Sequence, residues 1–307
     1  MPESYIVRHA GRVITAIFLS VCASFVFSQE NESKKPDVRL VIDVSGSMKR
    51  NDPKNLRQPA VDLLVQLLPE DSRGGVWTFG KYVNMLVPHK DAMRAWKKSA
   101  KTKAKDINSV GLYTNIGEAL ERAAYDVDDK NKNYKTSIIL LTDGMVDVAK
   151  DPLENEKERK RILNKVLPKL DKAGYTIHTV ALSDNADKFL LDRLSLDTDG
   201  ISATAYSADD LMKIFLQAFD ASAPSQQVAF DGDAFAVDSS IEEFTALIFH
   251  EGSKIQIKEP NNNLHDAQTK DKAISWYQTD TYDLITVKQT LEGEWQVKGE
   301  RGSGSRV

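Results

Sequence analysis

Short apolar runs alternate with stretches of helical spacing across the first two thirds of this chain. Val38-Arg39-Leu40-Val41-Ile42 and residues 136–141 are apolar enough to be strands buried on both faces, the pattern of the middle of a parallel sheet. Residues 175–182 and 201–206 predict two more strands. Residues 53–68 place Leu56, Ala60, Leu63, Leu64 and Leu67 at helical spacing, with Pro53 tolerable only near the start. Helices are also predicted over 92–105, 187–194 and 208–219. A highly charged helix over 151–173 is acidic first and basic later, and Pro168 is expected to kink or restart it. Residues 111–120 pass from loop into helix, with Thr114 or Asn115 suited to the cap. Residues 75–79 and 82–87 are short strands joined through Gly80-Lys81, a hairpin rather than a helical crossover. The pattern predicts an α/β domain over 38–221, with a mostly parallel sheet and one antiparallel edge strand.

The grammar changes after a linker at 222–227. Residues 244–249, 254–258, 273–278, 284–287 and 295–297 are short strands between Asn, Asp and Gly turns, without helical period. They predict a small all-β, sandwich-like domain over 228–300, followed by a tail, 301–307. Trp276, Tyr277 and Trp295 read as its core aromatics.

Composition narrows the setting. With 307 residues, a net charge of −4 and 41% hydrophobic residues, the chain is long enough for two domains with cores of their own. Its mild acidity argues against nucleic acid as a partner, since neutralising phosphates needs a concentrated basic face. The one cysteine, Cys22, lies near the start. There, Arg8, His9 and Arg12 precede an apolar stretch, 13–27, and a cut before Gln29 would follow a small residue. This reads as a signal peptide over 1–28 and a flexible lead-in over 29–37, so the protein is expected to be exported to the periplasm, cell envelope or exterior. The stretch is short for a membrane span. Membrane attachment would need that segment to stay uncleaved, or Cys22 to be lipidated, and Val21 stands where lipidation expects a small residue.

The chemistry gathers at strand ends. Asp43, Ser45 and Ser47 close the first strand, where open α/β sheets place ligands, and they offer only oxygen, the donor hard cations prefer. The same residues would also suit a strand end followed by a helix cap. Thr114 opens a later helix, and Asp143 ends the strand over 136–141.

Asp-Val-Ser-Gly-Ser, then a threonine in a Gly-x-x-Thr-Asn loop, then Leu-Thr-Asp-Gly, in this order, resembles the von Willebrand factor type A (vWA) domain. These are the three parts of its metal-ion-dependent adhesion site. The resemblance implies that Ser45 and Ser47 ligate a divalent cation directly, Thr114 directly or through water, and Asp43 and Asp143 directly or through bridging waters. It implies Mg²⁺ foremost, with Mn²⁺ or Ca²⁺ as alternatives, and an open coordination position for an acidic side chain on a protein partner. Asp147 reads as a helix-start or surface acid rather than a sixth ligand. A vWA domain followed by a β module also looks like bacterial secreted vWA proteins, and distantly like calcium-activated chloride channel regulators. The metalloprotease motif of the latter is missing, because His250-Glu251 runs into Gly252-Ser253-Lys254.

The expected function is therefore a non-catalytic binding module. A metal-dependent hydrolase is the rival, but no histidine accompanies the five ligands, His178 sits mid-strand as a structural residue, and no Gly-x-Ser-x-Gly elbow occurs. The third possibility is an envelope scaffold whose metal only holds loops together.

Overall fold

The computed structural model describes residues 34–129 and 133–307. The expected signal peptide, Cys22 and the first part of the lead-in lie outside the described residues. The elements are β1 (Lys35–Asp43), α1 (Met48–Asn51), α2 (Arg57–Leu67), β2 (Arg73–Phe79), β3 (Val83–Asp91), α3 (Arg94–Ala104), α4 (Ile116–Ala123) and β4 (Tyr134–Thr142). Then come α5 (Pro152–Arg161), α6 (Leu167–Lys172), β5 (Thr176–Ala181), α7 (Lys188–Leu196), β6 (Ser202–Thr204) and α8 (Ala208–Ser222). They form a sheet in the order β3-β2-β1-β4-β5-β6, parallel except for the antiparallel edge strand β3.

Alternation along β1 explains both its apolar run and the position of its acids. Val38, Leu40 and Ile42 enter a core shared with α2, α3 and α8, while Val41 enters a second core with α4 and α7. β1 begins at Lys35, so the polar stretch read as a lead-in already contributes to the sheet. Asp37 is 1% exposed there because Arg39 and His89 bind its carboxylate.

Two helices differ from their expected outlines for local reasons. α2 starts at Arg57 rather than near Pro53, where Asp52 accepts from the backbone N–H groups of Leu56 and Arg57. The long helix expected over 151–173 is divided by a π-helical turn, Ile162–Val166, just ahead of Pro168. A proline cannot donate into the ladder, and a widened turn accommodates that loss.

The β-rich region holds β7 (Phe230–Asp231), β8 (Ala234–Val237), β9 (Glu243–Phe249), β10 (Gln256–Lys258), β11 (Leu264–His265), β12 (Ile274–Gln278), β13 (Tyr282–Lys288) and β14 (Gly293–Lys298). They make antiparallel sheets in the orders β11-β10-β14-β8-β7 and β12-β13-β9. Phe235, Ile257, Trp295 and Val297 of one sheet pack with Ala246, Ile248, Ile285 and Val287 of the other. The smaller sheet is covered on its second face too, where Leu247, Tyr282 and Leu284 join the core of α2, α3 and α8. Tyr277 Oη donates to Asp62 on α2 at 2.5 Å, and Lys101 of α3 stands over the Tyr277 ring. Short strands β7, β8 and β11 were not evident in the sequence; two are only two residues long.

Candidate metal centre

Asp43 ends β1 and Asp143 immediately follows β4, two neighbouring parallel strands, so the sheet delivers both carboxylates to one edge. Asp43 Oδ1 accepts from the Ser45 backbone N–H at 2.7 Å, and Oδ2 accepts from the Thr142 hydroxyl at 2.6 Å. Ser45 and Ser47 hydroxyl oxygens lie 3.0 Å apart, and Ser47 Oγ donates to Asp143 Oδ1 at 2.8 Å. Ser47 occupies the N-cap position of α1, yet its side chain makes no cap bond. That disposes of the helix-cap alternative for Ser47: its hydroxyl is turned to the acid instead.

Thr114 reaches the same edge through the backbone. Its N–H donates to Asp147 O at 2.7 Å and its carbonyl accepts from Asp147 N–H at 3.1 Å. A Cβ built on Gly144 would lie 3.5 Å from Thr114 Oγ1, which puts that hydroxyl beside the residue following Asp143. Gly111 N–H donates to Val44 O at 2.8 Å, and any Cβ on Gly111 would meet that same oxygen at 2.8 Å. Tyr113, just before Thr114, takes a positive φ of 63°, a conformation non-glycine residues adopt at a cost and often at functional loops. The three loops are thus joined by their own main chains. Asn115 caps α4, accepting from Glu118 N–H at 3.2 Å.

Several contributors carried no sequence signal as ligand-site residues. Asn51, one helical turn after Ser47, donates to Asp143 Oδ2 at 2.8 Å, and Ser183 Oγ donates to the Asp143 carbonyl at 2.6 Å. Arg57, fully buried, donates to the Asp43 carbonyl at 2.5 Å, but its charge is answered by Asp52 at 2.7 Å. Spacing of one turn could have suggested Asn51; nothing local could have suggested Ser183. Asp147 accepts from Asn155 at 3.3 Å, a structural contact.

Electrostatically the centre is incomplete as a protein-only arrangement. Asp43 and Asp143 are 0% and 1% exposed, and among the described residues no lysine, arginine or histidine side chain pairs with either. Burial pushes Asp43 up to about 6; hydrogen bonds from Thr142 and Ser45 offset part of this, and the Asp143 charge adds to it. Two desolvated acids in contact with hydroxyls are costly unless a cation joins them.

A second group, Asp37, His89 and Asp126, brings ligand-type atoms within 4.8 Å of one another at the opposite end of β1. Arg39 already fills it, donating to both Asp37 and Asp126 at 2.6 Å. Burial alone would raise Asp37, but hydrogen bonds from His89 and Arg39 outweigh it and bring the acid down to about 2. This is an ion-pair network built around one guanidinium, and no local pattern hints at it because its members are spread over ninety residues.

A mostly parallel sheet with one antiparallel edge strand, and an oxygen-lined cleft at its carboxyl ends, defines a doubly wound α/β domain of the kind that carries ligands at that edge. The von Willebrand factor type A domain profile matches residues 37–220, and the chain belongs to that family. Such domains commonly bind a divalent metal at their adhesion site, mediate protein–protein interactions, and are typically not enzymes. Among solved structures, a von Willebrand factor type A protein from Catenulispora acidiphila is similar over 89% of this chain and 64% of its own, with 14% identity and a TM-score of 0.53. The chain therefore spans less than two thirds of that relative. Proximal thread matrix protein 1 from mussel byssus, in a form with zinc in its adhesion-site motif, aligns over 61% of this chain and 48% of its own (18% identity, TM-score 0.47). An aerotolerance-related membrane protein from Bacteroides fragilis aligns over 61% of this chain and 99% of its own (14% identity, TM-score 0.46). No curated protein matches the chain in sequence. Among the described residues no helix is long and apolar enough to cross a membrane.

Proposed function

We propose that this protein is an exported binding module that holds a divalent cation, Mg²⁺ foremost, and uses it to grip an acidic side chain on a protein partner. Asp43, Ser45, Ser47, Thr114 and Asp143 would hold the ion. One observation carries this reading: two buried carboxylates from neighbouring strands meet a pair of serine hydroxyls, and among the described residues no cationic side chain neutralises them. An all-oxygen donor set suits a hard cation. Hydroxyl donors leave much of its charge uncancelled, and a cation bound there would offer an open position to an incoming carboxylate. The chain's own part is to hold its donors in place, which the Val44–Gly111 and Thr114–Asp147 main-chain bonds do in advance. Export rests on the basic and apolar pattern of residues 1–28.

Calorimetric titration with Mg²⁺ and Mn²⁺ tests the site. Wild type is expected to bind one ion, and Asp43→Ala and Asp143→Ala to bind none; unchanged binding in both variants would sink the assignment. Capture of partners from envelope extract, with and without chelator, tests the grip, and a chelator-insensitive partner set would argue against it. Thr114→Ala separates grip from scaffold: a lowered melting temperature with partner capture intact would mean that the metal only holds the loops.

A further inference from the structure

Beside the candidate metal centre lies a groove of about 580 Å³, within the size range of ligand clefts. The two share a wall. Asn51 and Ser183 line the groove, and these are the residues that donate to the Asp143 side chain and carbonyl. Its apolar lining comes from Leu56, Leu182 and Leu211.

The charges on its rim are unbalanced. Arg50 and Lys54 are exposed and line the groove, and among the described residues no carboxylate pairs with either. The acids nearby are already committed. Asp52 is buried against Arg57 at 2.7 Å, and Asp184 holds Lys188 at 2.7 Å and the Tyr206 hydroxyl at 3.1 Å. What remains is a cleft with two free cationic side chains and an aliphatic lining, sharing Asn51 and Ser183 with the metal centre. A single acidic side chain bound at that centre would leave both cations unanswered.

We infer that this groove is a second subsite for an acidic, extended segment of the partner protein. One carboxylate of the segment enters at the metal centre, an aliphatic residue lies over Leu56 and Leu182, and a second carboxylate reaches Arg50 and Lys54. The inference rests on the proposed function, because it is the metal centre that fixes where the segment enters. Charge complementarity selects the occupant: two unpaired cations line the same groove as the residues that touch the acid cluster of the metal centre.

The test uses the full chain and two sets of fluorescent eight-residue synthetic peptides. One set carries a single Glu; the other adds a second Glu two to five positions on, with Leu between. In Mg²⁺, doubly acidic peptides of one preferred spacing are expected to bind about tenfold tighter than singly acidic ones, the scale of two partly exposed ion pairs. Arg50→Glu combined with Lys54→Glu should abolish that preference, and Lys54→Gln alone should reduce it; a thermal melt checks that both variants fold. Equal binding of the two sets, or a preference that survives the charge reversal, overturns the subsite. So does the absence of any peptide binding while Mg²⁺ still titrates, and in that case the metal reading stands. Failure of Mg²⁺ to bind wild type, or peptide binding indifferent to chelator, overturns the metal reading and the subsite with it.

Discussion

Ser47 Oγ donates to Asp143 Oδ1 at 2.8 Å across 96 residues of chain. With Asn51 on the other oxygen of the same carboxylate, each Asp143 oxygen has one neutral donor. Neutral donors stabilise a buried acid less well than a cation does. The pair shows how the loops stay assembled before any ion arrives, and why the assembly still favours one.

That imbalance predicts a stability effect at Asp43. Its folded pKa, about 6, lies above that of an exposed acid, so at pH 7 its ionisation opposes folding. Asp43→Asn removes the charge and keeps the shape. In chelator the variant should be more stable than wild type by about 1–3 kcal/mol. In Mg²⁺ the order should reverse, with only wild type gaining melting temperature. Thermal unfolding in the two buffers reads both signs, and a less stable variant in chelator would contradict the argument.

The network at the opposite end of β1 should behave as structure. Arg39 is 1% exposed and bridges Asp37 and Asp126 while donating to the Ala123 carbonyl. Arg39→Met would leave Asp37 relying on His89 and Asp126 on the Tyr175 hydroxyl, costing about 3–5 kcal/mol in urea unfolding. Adding Asp37→Asn should return part of that loss, since one of the two carboxylates that lost Arg39 is then uncharged.

Asp62 ties α2 to the β-rich region. Its Oδ2 accepts from Tyr277 at 2.5 Å and, more distantly, from Tyr282 at 3.4 Å. Asp62→Ala is expected to cost about 1.5–3 kcal/mol, the range for hydrogen bonds to charged groups. A double-mutant cycle with Tyr277→Phe should show clear positive coupling; strictly additive losses would mean the contact contributes nothing of its own.

His178 should make stability fall in mild acid. Burial, and more weakly Lys135, holds it down at about 4, and its Nδ1 accepts from the Ile201 N–H at 3.1 Å, a bond only the neutral ring can make. The unfolded chain takes up the proton near pH 6.5. Stability is therefore lost as pH falls from about 6.5 towards 4 and levels off below that. Over this window wild type should lose up to about 3 kcal/mol more than His178→Asn, which keeps an acceptor but no titrating ring. Denaturant midpoints at pH 7 and pH 4.5 for both proteins provide the measurement, and parallel slopes would refute it.

How much could be read without coordinates depended on the range of the interaction. The apolar run from Val38 to Ile42, the Gly80-Lys81 turn and the alternation of strand and helix are local patterns. They specified a mostly parallel sheet with an antiparallel edge, because burial on two faces and tight reversal each leave a signature within a few residues. The three stretches holding Asp43, Ser45, Ser47, Thr114 and Asp143 were legible for the same reason: each is a short strand end or helix start with its own grammar.

What only the tertiary structure decided involves partners with no local cue. The competition for the Ser47 hydroxyl between its own helix and Asp143 depends on where β4 ends relative to β1, which is a matter of register. The pairing of Asn51 and Ser183 with Asp143, and of Tyr277 with Asp62 across 215 residues, follows from surfaces meeting after the elements have formed. The run Phe244-Thr245-Ala246-Leu247-Ile248 predicted a strand, but not that its sheet would have both faces covered, one by β8 and β14 and the other by α2, α3 and α8. Periodicity reports that a face is buried. It takes the packed chain to show what buries it.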